Sequence, residues 1–392
     1  MANTHLSNAK TAKNDEFYTQ YVDIEKEINS YLDYNPNVFK DKTILLPCDD
    51  PEWSNFTRYF AQNFQTFGLK KLISTSYAVE SKKNKLHYKP TIFETQSHKF
   101  DANKTRIKGK LFILENKKND NKKIDVRNLD WKYLENDGDF RSKEIQSLCN
   151  ESDIIITNPP FSLFREFITW IIKTNKKFII IGNLNAITYK EVFPLIKKNK
   201  LWLGNGFHSG SAYFTTPIKR QYATGEYNNK SGLVKFGNCC WFTNLDHGRR
   251  HKPLSLMALL DNVKFSKHKK VRGKSYFQYD NYEAIEVPFV DAIPSDYDGV
   301  MGVPISFLHK YSPEQFEILG MCENLDLYKL KTKIYTSTEC RKAYFTKFNK
   351  KGIYDLNASG VIIENGRHEK VYQRILIKHK RKGKCKQHSK IA

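Results

Sequence analysis

The run Asp153-Ile154-Ile155-Ile156-Thr157, followed at once by Asn158-Pro159-Pro160-Phe161, constrains this chain more than any other stretch. An unbroken Ile-rich run of this length reads as a strand buried on both faces, as in a parallel sheet. Two consecutive prolines cannot continue it, because neither has the backbone N–H that a ladder needs. The chain therefore turns sharply and leaves Asn158 at the carboxyl end of the strand, where ligands bind in open α/β sheets. An amide oxygen, a proline carbonyl and an aromatic face then converge on one small volume. That set suits a planar ring bearing an amino group, such as adenine. The competing reading is a strand that merely ends in a Pro-Pro turn.

The flanking pattern alternates strands with helices. Thr43-Ile44-Leu45-Leu46-Pro47 reads as a short buried strand, followed by Cys48-Asp49-Asp50-Pro51 and a helix opening near Ser54, a good N-cap. Trp53, Phe56, Tyr59, Phe60, Phe64 and Phe67 recur at helical spacing and read as core. Lys71 to Tyr77 supplies the next strand, completing a βαβ unit. From Lys82 to about Lys132 the pattern degrades, and Glu115 to Lys123 reads as a solvated loop or hairpin tip. Order returns at Asp137-Gly138-Asp139-Phe140-Arg141-Ser142, with a helix ending near Cys149 before the Ile-rich strand. Ser162 then caps a helix whose Leu163, Phe164, Phe167, Ile168, Ile171 and Ile172 share one face. A buried strand over Lys177 to Ile181 and a helix around Tyr189 to Lys198 complete the series. The prediction is an α/β, mostly parallel, doubly wound sheet.

Beyond Leu201 the texture becomes Gly-rich and aromatic, and Cys239 to Leu245 reads as a late strand of the same sheet. From about Arg250 the chain carries Lys-Arg clusters and short β-like runs, ending in Arg374-Ile375-Leu376-Ile377. In the tail from Lys378 to Lys390, seven of thirteen residues are Lys or Arg and none is acidic, which predicts a mobile arm. A boundary near residue 250 divides residues 1–250 from 251–392.

Charge bears on the partner. Lys plus Arg number 65 against 42 Asp plus Glu, a net +23, which favours a polyanion. The 22 Tyr and 26 Phe add stacking surfaces suited to bases. A lysine-rich, AT-biased genome would produce the same excess without any such partner. Seven cysteines with no Cys-x-x-Cys pair argue against a zinc ribbon and a disulfide framework. No apolar stretch approaches the roughly 18 residues of a membrane span, and Met1 to His5 lacks an apolar signal core. A cytoplasmic protein that does not engage membranes is expected.

Six segments in order resemble the EcoRI-type adenine-specific DNA methyltransferases. They are Asn14 to Gln20, Cys48 to Pro51, Asp137 to Ser142, Asn158 to Glu166, Asn185 to Glu191 and Asp298 to Ile305. The resemblance implies a Rossmann-like catalytic domain of the class I methyltransferase fold, then a target-recognition region. It implies S-adenosylmethionine as methyl donor, no metal, and double-stranded DNA as substrate for a monomeric enzyme. Such an enzyme, prokaryotic or phage-encoded, either belongs to a restriction-modification system or acts alone. Asn158, Pro159, Pro160 and Phe161 match the catalytic motif. The Asn158 oxygen and the Pro159 carbonyl would hold the adenine amine, and Phe161 would stack on a base flipped out of the duplex. Phe17, Tyr18 and Thr19 match the motif that closes over the donor's methionine part. Asp49 or Asp50, in the loop ending at Pro51, would receive its ammonium group. Asp139 would accept from the donor's adenine amine, with Phe140 stacked nearby.

Two departures stand out. The Cys48 to Trp53 loop has no glycine, and the second strand ends in Ser74-Thr75-Ser76-Tyr77, without an acidic residue for the ribose. Pro47-Cys48 superficially resembles the cysteine nucleophile of cytosine-C5 methylation, although it lies in the donor loop. Methylation of RNA adenine, of protein glutamine, or a catalytically inactive DNA-binding relative are the remaining alternatives. The basic C-terminal third argues against a peptide substrate.

Overall fold

A computed structural model describes residues 17–78, 99–116, 129–207, 211–216 and 225–380. The chain divides into two compact units, 1–248 and 249–392.

In the first unit the elements run β1 (Tyr18–Thr19), α1 (Tyr21–Leu32), β2 (Thr43–Leu46), α2 (Asn55–Gln62), β3 (Lys71–Thr75) and α3 (Ala102–Ile107). They continue with β4 (Lys110–Glu115), β5 (Trp131–Tyr133), α4 (Lys143–Glu151), β6 (Ile154–Thr157), α5 (Phe164–Thr174) and β7 (Lys177–Asn183). Last come α6 (Phe193–Lys197), β8 (Trp202–Leu203), β9 (Ser211–Thr215), β10 (Gly225–Asn228), β11 (Leu233–Gly237) and β12 (Cys239–Thr243).

The main sheet has eight strands in the order β5-β4-β3-β2-β6-β7-β12-β8. Its centre, β3-β2-β6-β7, is parallel. Because β4 and β12 run opposite to the rest, the whole is a mixed sheet. All four residues of β6 are buried, as a two-sided strand requires. The crossover through α2 goes from β2 to β3, while β6 pairs on the other side of β2. Adjacent strand ends therefore diverge between β2 and β6, which opens a crevice there.

Local chemistry sets the boundaries. Ser54 caps α2 by accepting from Phe56 N, and Ser142 caps α4 by accepting from Ile145 N. Ser162, expected to cap α5, does not. The Leu163 N–H donates to the Pro160 carbonyl (3.0 Å), closing a 3₁₀ turn over Phe161–Leu163, and α5 starts only at Phe164. The helix expected over Tyr189 to Lys198 shrinks to α6, because Pro194 in its first turn has no N–H to carry the helix further back. Strands β4 and β5 fall where no regular pattern is legible. Most of the proposed hairpin tip, residues 117–123, lies outside the described residues.

Helix α1 packs Ile24, Glu27, Ile28 and Tyr31 inward at helical spacing. The buried Glu27 carboxylate accepts from Tyr31 OH (2.7 Å), Asn205 N (2.8 Å) and Gly206 N (2.6 Å), so its charge is compensated. A second sheet, β1-β9-β11-β10, is antiparallel, and its Tyr18–Thr215 pairing fixes Phe17 to Thr19 in place.

The second unit adds α7 (Leu259–Phe265), β13 (Ile285–Glu286), β14 (Met301–Pro304), β15 (Phe316–Met321) and α8 (Ser337–Phe348). It ends with β16 (Val361–Glu364), β17 (Arg367–Lys370) and β18 (Arg374–His379). One sheet has the order β13-β14-β18-β15, and β16-β17 is a separate hairpin turning at Asn365-Gly366, both with positive φ. Here the tail prediction needs correction. Lys378 and His379 belong to β18, paired with β15, and Lys380 N donates to Gln315 O, so any free arm starts later. Residues 381–392 lie outside the described residues.

Candidate active site

A cavity opens at the carboxyl ends of β2, β3 and β6. The loop after β2 contributes Pro47, Cys48, Asp49, Asp50, Trp53 and Ser54, and the end of β3 contributes Ser76 and Tyr77. Gly138 to Arg141 precede α4 on another wall, and Asn158, Pro160, Ser162 and Leu163 follow β6. Phe17, Tyr18 and Thr19 complete the lining. Nine of the expected site residues thus share one cavity: Phe17, Tyr18, Thr19, Asp49, Asp50, Asp139, Phe140, Asn158 and Pro160. Pro51 and Pro159 are buried and off its wall. Phe161 is half-buried, stacked on Phe17 (5.6 Å, 22°) and packed against Phe214 and Phe236.

Asn158 is held in one orientation. Its Nδ2 donates to the Phe17 carbonyl (2.8 Å), which leaves Oδ1 as the acceptor. That oxygen is buried and has no hydrogen-bond partner. A buried acceptor left unmatched costs about 1–3 kcal/mol, so it calls for a donor from outside the chain. An amino group in the cavity meets that need.

Asp49 links three elements. It is 4% exposed; Oδ1 accepts from Ser54 Oγ (2.7 Å) and Oδ2 from Thr157 Oγ1 (2.6 Å). One carboxylate thereby joins the loop after β2, the start of α2 and the residue preceding Asn158. Burial raises its pKa to about 7, against the downward pull of the Thr157 and Ser54 hydroxyls. Asp50 is ion-paired to the buried Lys110 Nζ (3.2 Å), which also pairs with Glu52. Burial opposes the charge on Lys110, but these two carboxylates outweigh it and raise the pKa.

Arg141 binds both oxygens of Asp139, Nε to Oδ1 at 2.8 Å and Nη2 to Oδ2 at 2.6 Å, and reaches Glu166 on α5 at 3.1 Å. Gly138, at φ +79°, approaches the Ser76 carbonyl so closely that a Cβ would collide with it. Phe140 is buried against Phe167 (5.1 Å) and Trp170 (5.4 Å). At the end of β3, Ser74 Oγ donates to Asp49 O (2.5 Å) and Thr75 Oγ1 to Pro47 O (3.2 Å). Both hydroxyls are committed to backbone, which leaves Ser76 and Tyr77 facing the cavity. Burial and the neighbouring Asp49 push the Cys48 thiol up, a state unsuited to a nucleophile.

Sequence reading missed several wall residues. Trp53 shares the spacing of the core stripe, yet it precedes the Ser54 cap and so lies outside α2, on the cavity wall. Arg141 carried a usable signal, since it stands two residues after an aspartate in a turn.

The family model for the adenine-specific methyltransferase EcoRI matches residues 5–380. The chain belongs to this family. Type II methyltransferase M.EcoRI of Escherichia coli is 44% identical over 329 residues, covering 83% of this chain and 91% of the relative. Type II methyltransferase M.MgeORF184P of Mycoplasma genitalium is 33% identical, covering 82% and 87%. Type II methyltransferase M.MpnI of Mycoplasma pneumoniae is 31% identical, covering 84% and 90%. No solved structure gives a significant match. Membership of the EcoRI methylase family makes this an adenine-specific DNA methyltransferase. It also implies S-adenosylmethionine as methyl donor. Among the described residues, no helix is long and apolar enough to cross a membrane.

Proposed function

We propose that the cavity binds S-adenosylmethionine and that Asn158 presents to it the N6 amine of an adenine flipped out of duplex DNA. The observation that carries this reading is the partnerless, buried Asn158 Oδ1 on the cavity wall. The donor supplies the methyl group. The chain's part is positioning and electrostatics, because the amine is a weak nucleophile whose lone pair is delocalised into the ring. Asn158 Oδ1 accepts one of its hydrogens and, once the base enters beside the turn, the Pro159 carbonyl accepts the other, which draws the nitrogen towards a tetrahedral shape. Phe161, already stacked on Phe17, extends that stack to the flipped base.

In the same reading Asp49 or Asp50 receives the donor's ammonium group, and Asp139 its adenine amine. Phe17 to Thr19, pinned by β9, close over the methionine part. The parallel centre β3-β2-β6-β7, with its crevice beside β2, supports a Rossmann-like catalytic domain over residues 1–250. Residues 251–392 then act as the target-recognition region of a cytoplasmic monomer.

The direct test is methyl transfer by the purified protein to duplex DNA, followed by nucleoside analysis. N6-methyladenine is the expected product. 5-Methylcytosine would transfer the chemistry to Cys48, and methylation of RNA alone would change the substrate class. A second test concerns the donor. Asp139→Ala removes one charge-assisted hydrogen bond, worth about 1.5–3 kcal/mol. Donor affinity by calorimetry is expected to fall at least about tenfold, with duplex affinity unchanged. Unaltered donor affinity in a folded variant would leave Asp139 as an anchor for Arg141 alone.

A further inference from the structure

Helix α8 buries only two small side chains, Cys340 and Ala343, against its own unit. Its inward side carries Cys340, Ala343 and Lys347, and the Lys347 ammonium pairs with Glu369 on β17 and donates to Tyr354 OH (3.1 Å). Its outward stripe, at i, i+4 and i+7, carries Arg341, Phe345 and Phe348. Phe345 is 56% exposed and Phe348 45%. Arg341 and Lys342 flank these rings on the helix, and Lys350 and Lys351 follow its end; all four are exposed. From Arg341 to Tyr354 there are five cations and no carboxylate. Phe348 packs against Tyr344 (4.7 Å) and Tyr354 (6.0 Å), so the ring left open on this stripe is Phe345. A single exposed phenyl ring is ordinary; what sets this face apart is that, among the described residues, the four cations around it have no ion-pair partner.

We propose that the exposed face of α8 docks on duplex DNA, with Arg341, Lys342, Lys350 and Lys351 on phosphates and Phe345 against the apolar edge of a base. The proposal rests on the DNA substrate assigned above and deepens it by naming the contacting surface. Charge complementarity decides the occupant. A second copy of the chain, packed through the same face, would bring four cations against four, a repulsive arrangement. A duplex offers a line of phosphates and, in the major groove, the thymine methyl group that a phenyl ring can contact.

The experiment is fluorescence anisotropy with a labelled duplex of mixed sequence, titrated over salt. The variant Arg341→Gln/Lys342→Gln/Lys350→Gln/Lys351→Gln is expected to weaken binding about 10- to 100-fold at moderate salt. It should also flatten the slope of log K against log salt by roughly two to four units. Lys350→Gln/Lys351→Gln alone, beyond the helix end and therefore harmless to its folding, should flatten it by roughly one to two units. Phe345→Ser should leave the slope intact and, with a second duplex carrying the sequence that the enzyme methylates, cut the preference for it over the mixed duplex about fivefold or more. Donor affinity by calorimetry should be unchanged in all three, which separates this surface from the donor cavity. Unchanged Kd and slope in both charge variants would overturn the proposal. So would a wild-type dimer that Phe345→Ser dissociates while duplex binding persists. If wild type binds duplex but transfers no methyl group, the proposed function falls and the α8 surface still stands or falls on its own binding data.

Discussion

Purified Asn158→Ala protein is expected to turn over at least about 100-fold more slowly than wild type in single-turnover methyl transfer. Its affinity for duplex DNA should change by no more than a few-fold. The reasoning follows from the two ends of the amide. Oδ1 is the partnerless acceptor, whereas Nδ2 anchors the Phe17 carbonyl. Alanine deletes both, so a second variant is needed to separate them. Asn158→Asp keeps an acceptor for the amine but offers the Phe17 carbonyl a second oxygen in place of a donor. It should therefore retain more turnover than alanine while binding the donor less well, since β1 loses its tether. Near-normal turnover by Asn158→Ala would remove Asn158 from the reaction and leave it as a clamp on β1.

Legibility in the sequence followed one physical divide. Strands β2, β3, β6 and β7 are buried on both faces, so each reads as a short apolar run that needs no context. The edge elements did not read this way. Strand β4 has exposed and half-exposed residues in its second half, and β1 and β8 are two residues long. Helix α1 has no legible apolar stripe because its buried face includes Glu27, which an apolar template rejects. The same divide runs through the site. Asn158, Asp49 and Asp139 sit beside strand ends or turns marked by proline and glycine, and those positions are visible in the sequence. The covering β1-β9 pairing and the bond from Arg141 to Asp139 are tertiary facts, absent from any local pattern. Ser162 looks like a cap in the sequence and is not one, because the Pro160 carbonyl closes a 3₁₀ turn before any helix begins.

Asp49 predicts an equally large effect, read along the pH axis. Its folded pKa, raised to about 7 by burial, lies above the unfolded value of about 3.9. The native state therefore holds a proton that the unfolded chain has released. The stability from that proton is fully present below about pH 4 and is lost as pH rises through about 7. The span corresponds to about 4 kcal/mol. Asp49→Asn, neutral throughout, should thus melt higher relative to wild type at pH 8 than at pH 5. The same titration distinguishes the two candidate ammonium ligands. If Asp49 receives the donor's ammonium group, it must be ionised in the complex, so binding below pH 7 requires release of a proton. Donor affinity should then rise about tenfold per pH unit between pH 5.5 and 7 and level off, before the donor's own amine begins to deprotonate near pH 8. Calorimetry across that range, on wild type and Asp49→Asn, reads the slope directly. A steep wild-type profile abolished by the substitution assigns the ammonium to Asp49, whereas a flat wild-type profile removes Asp49 as its ligand.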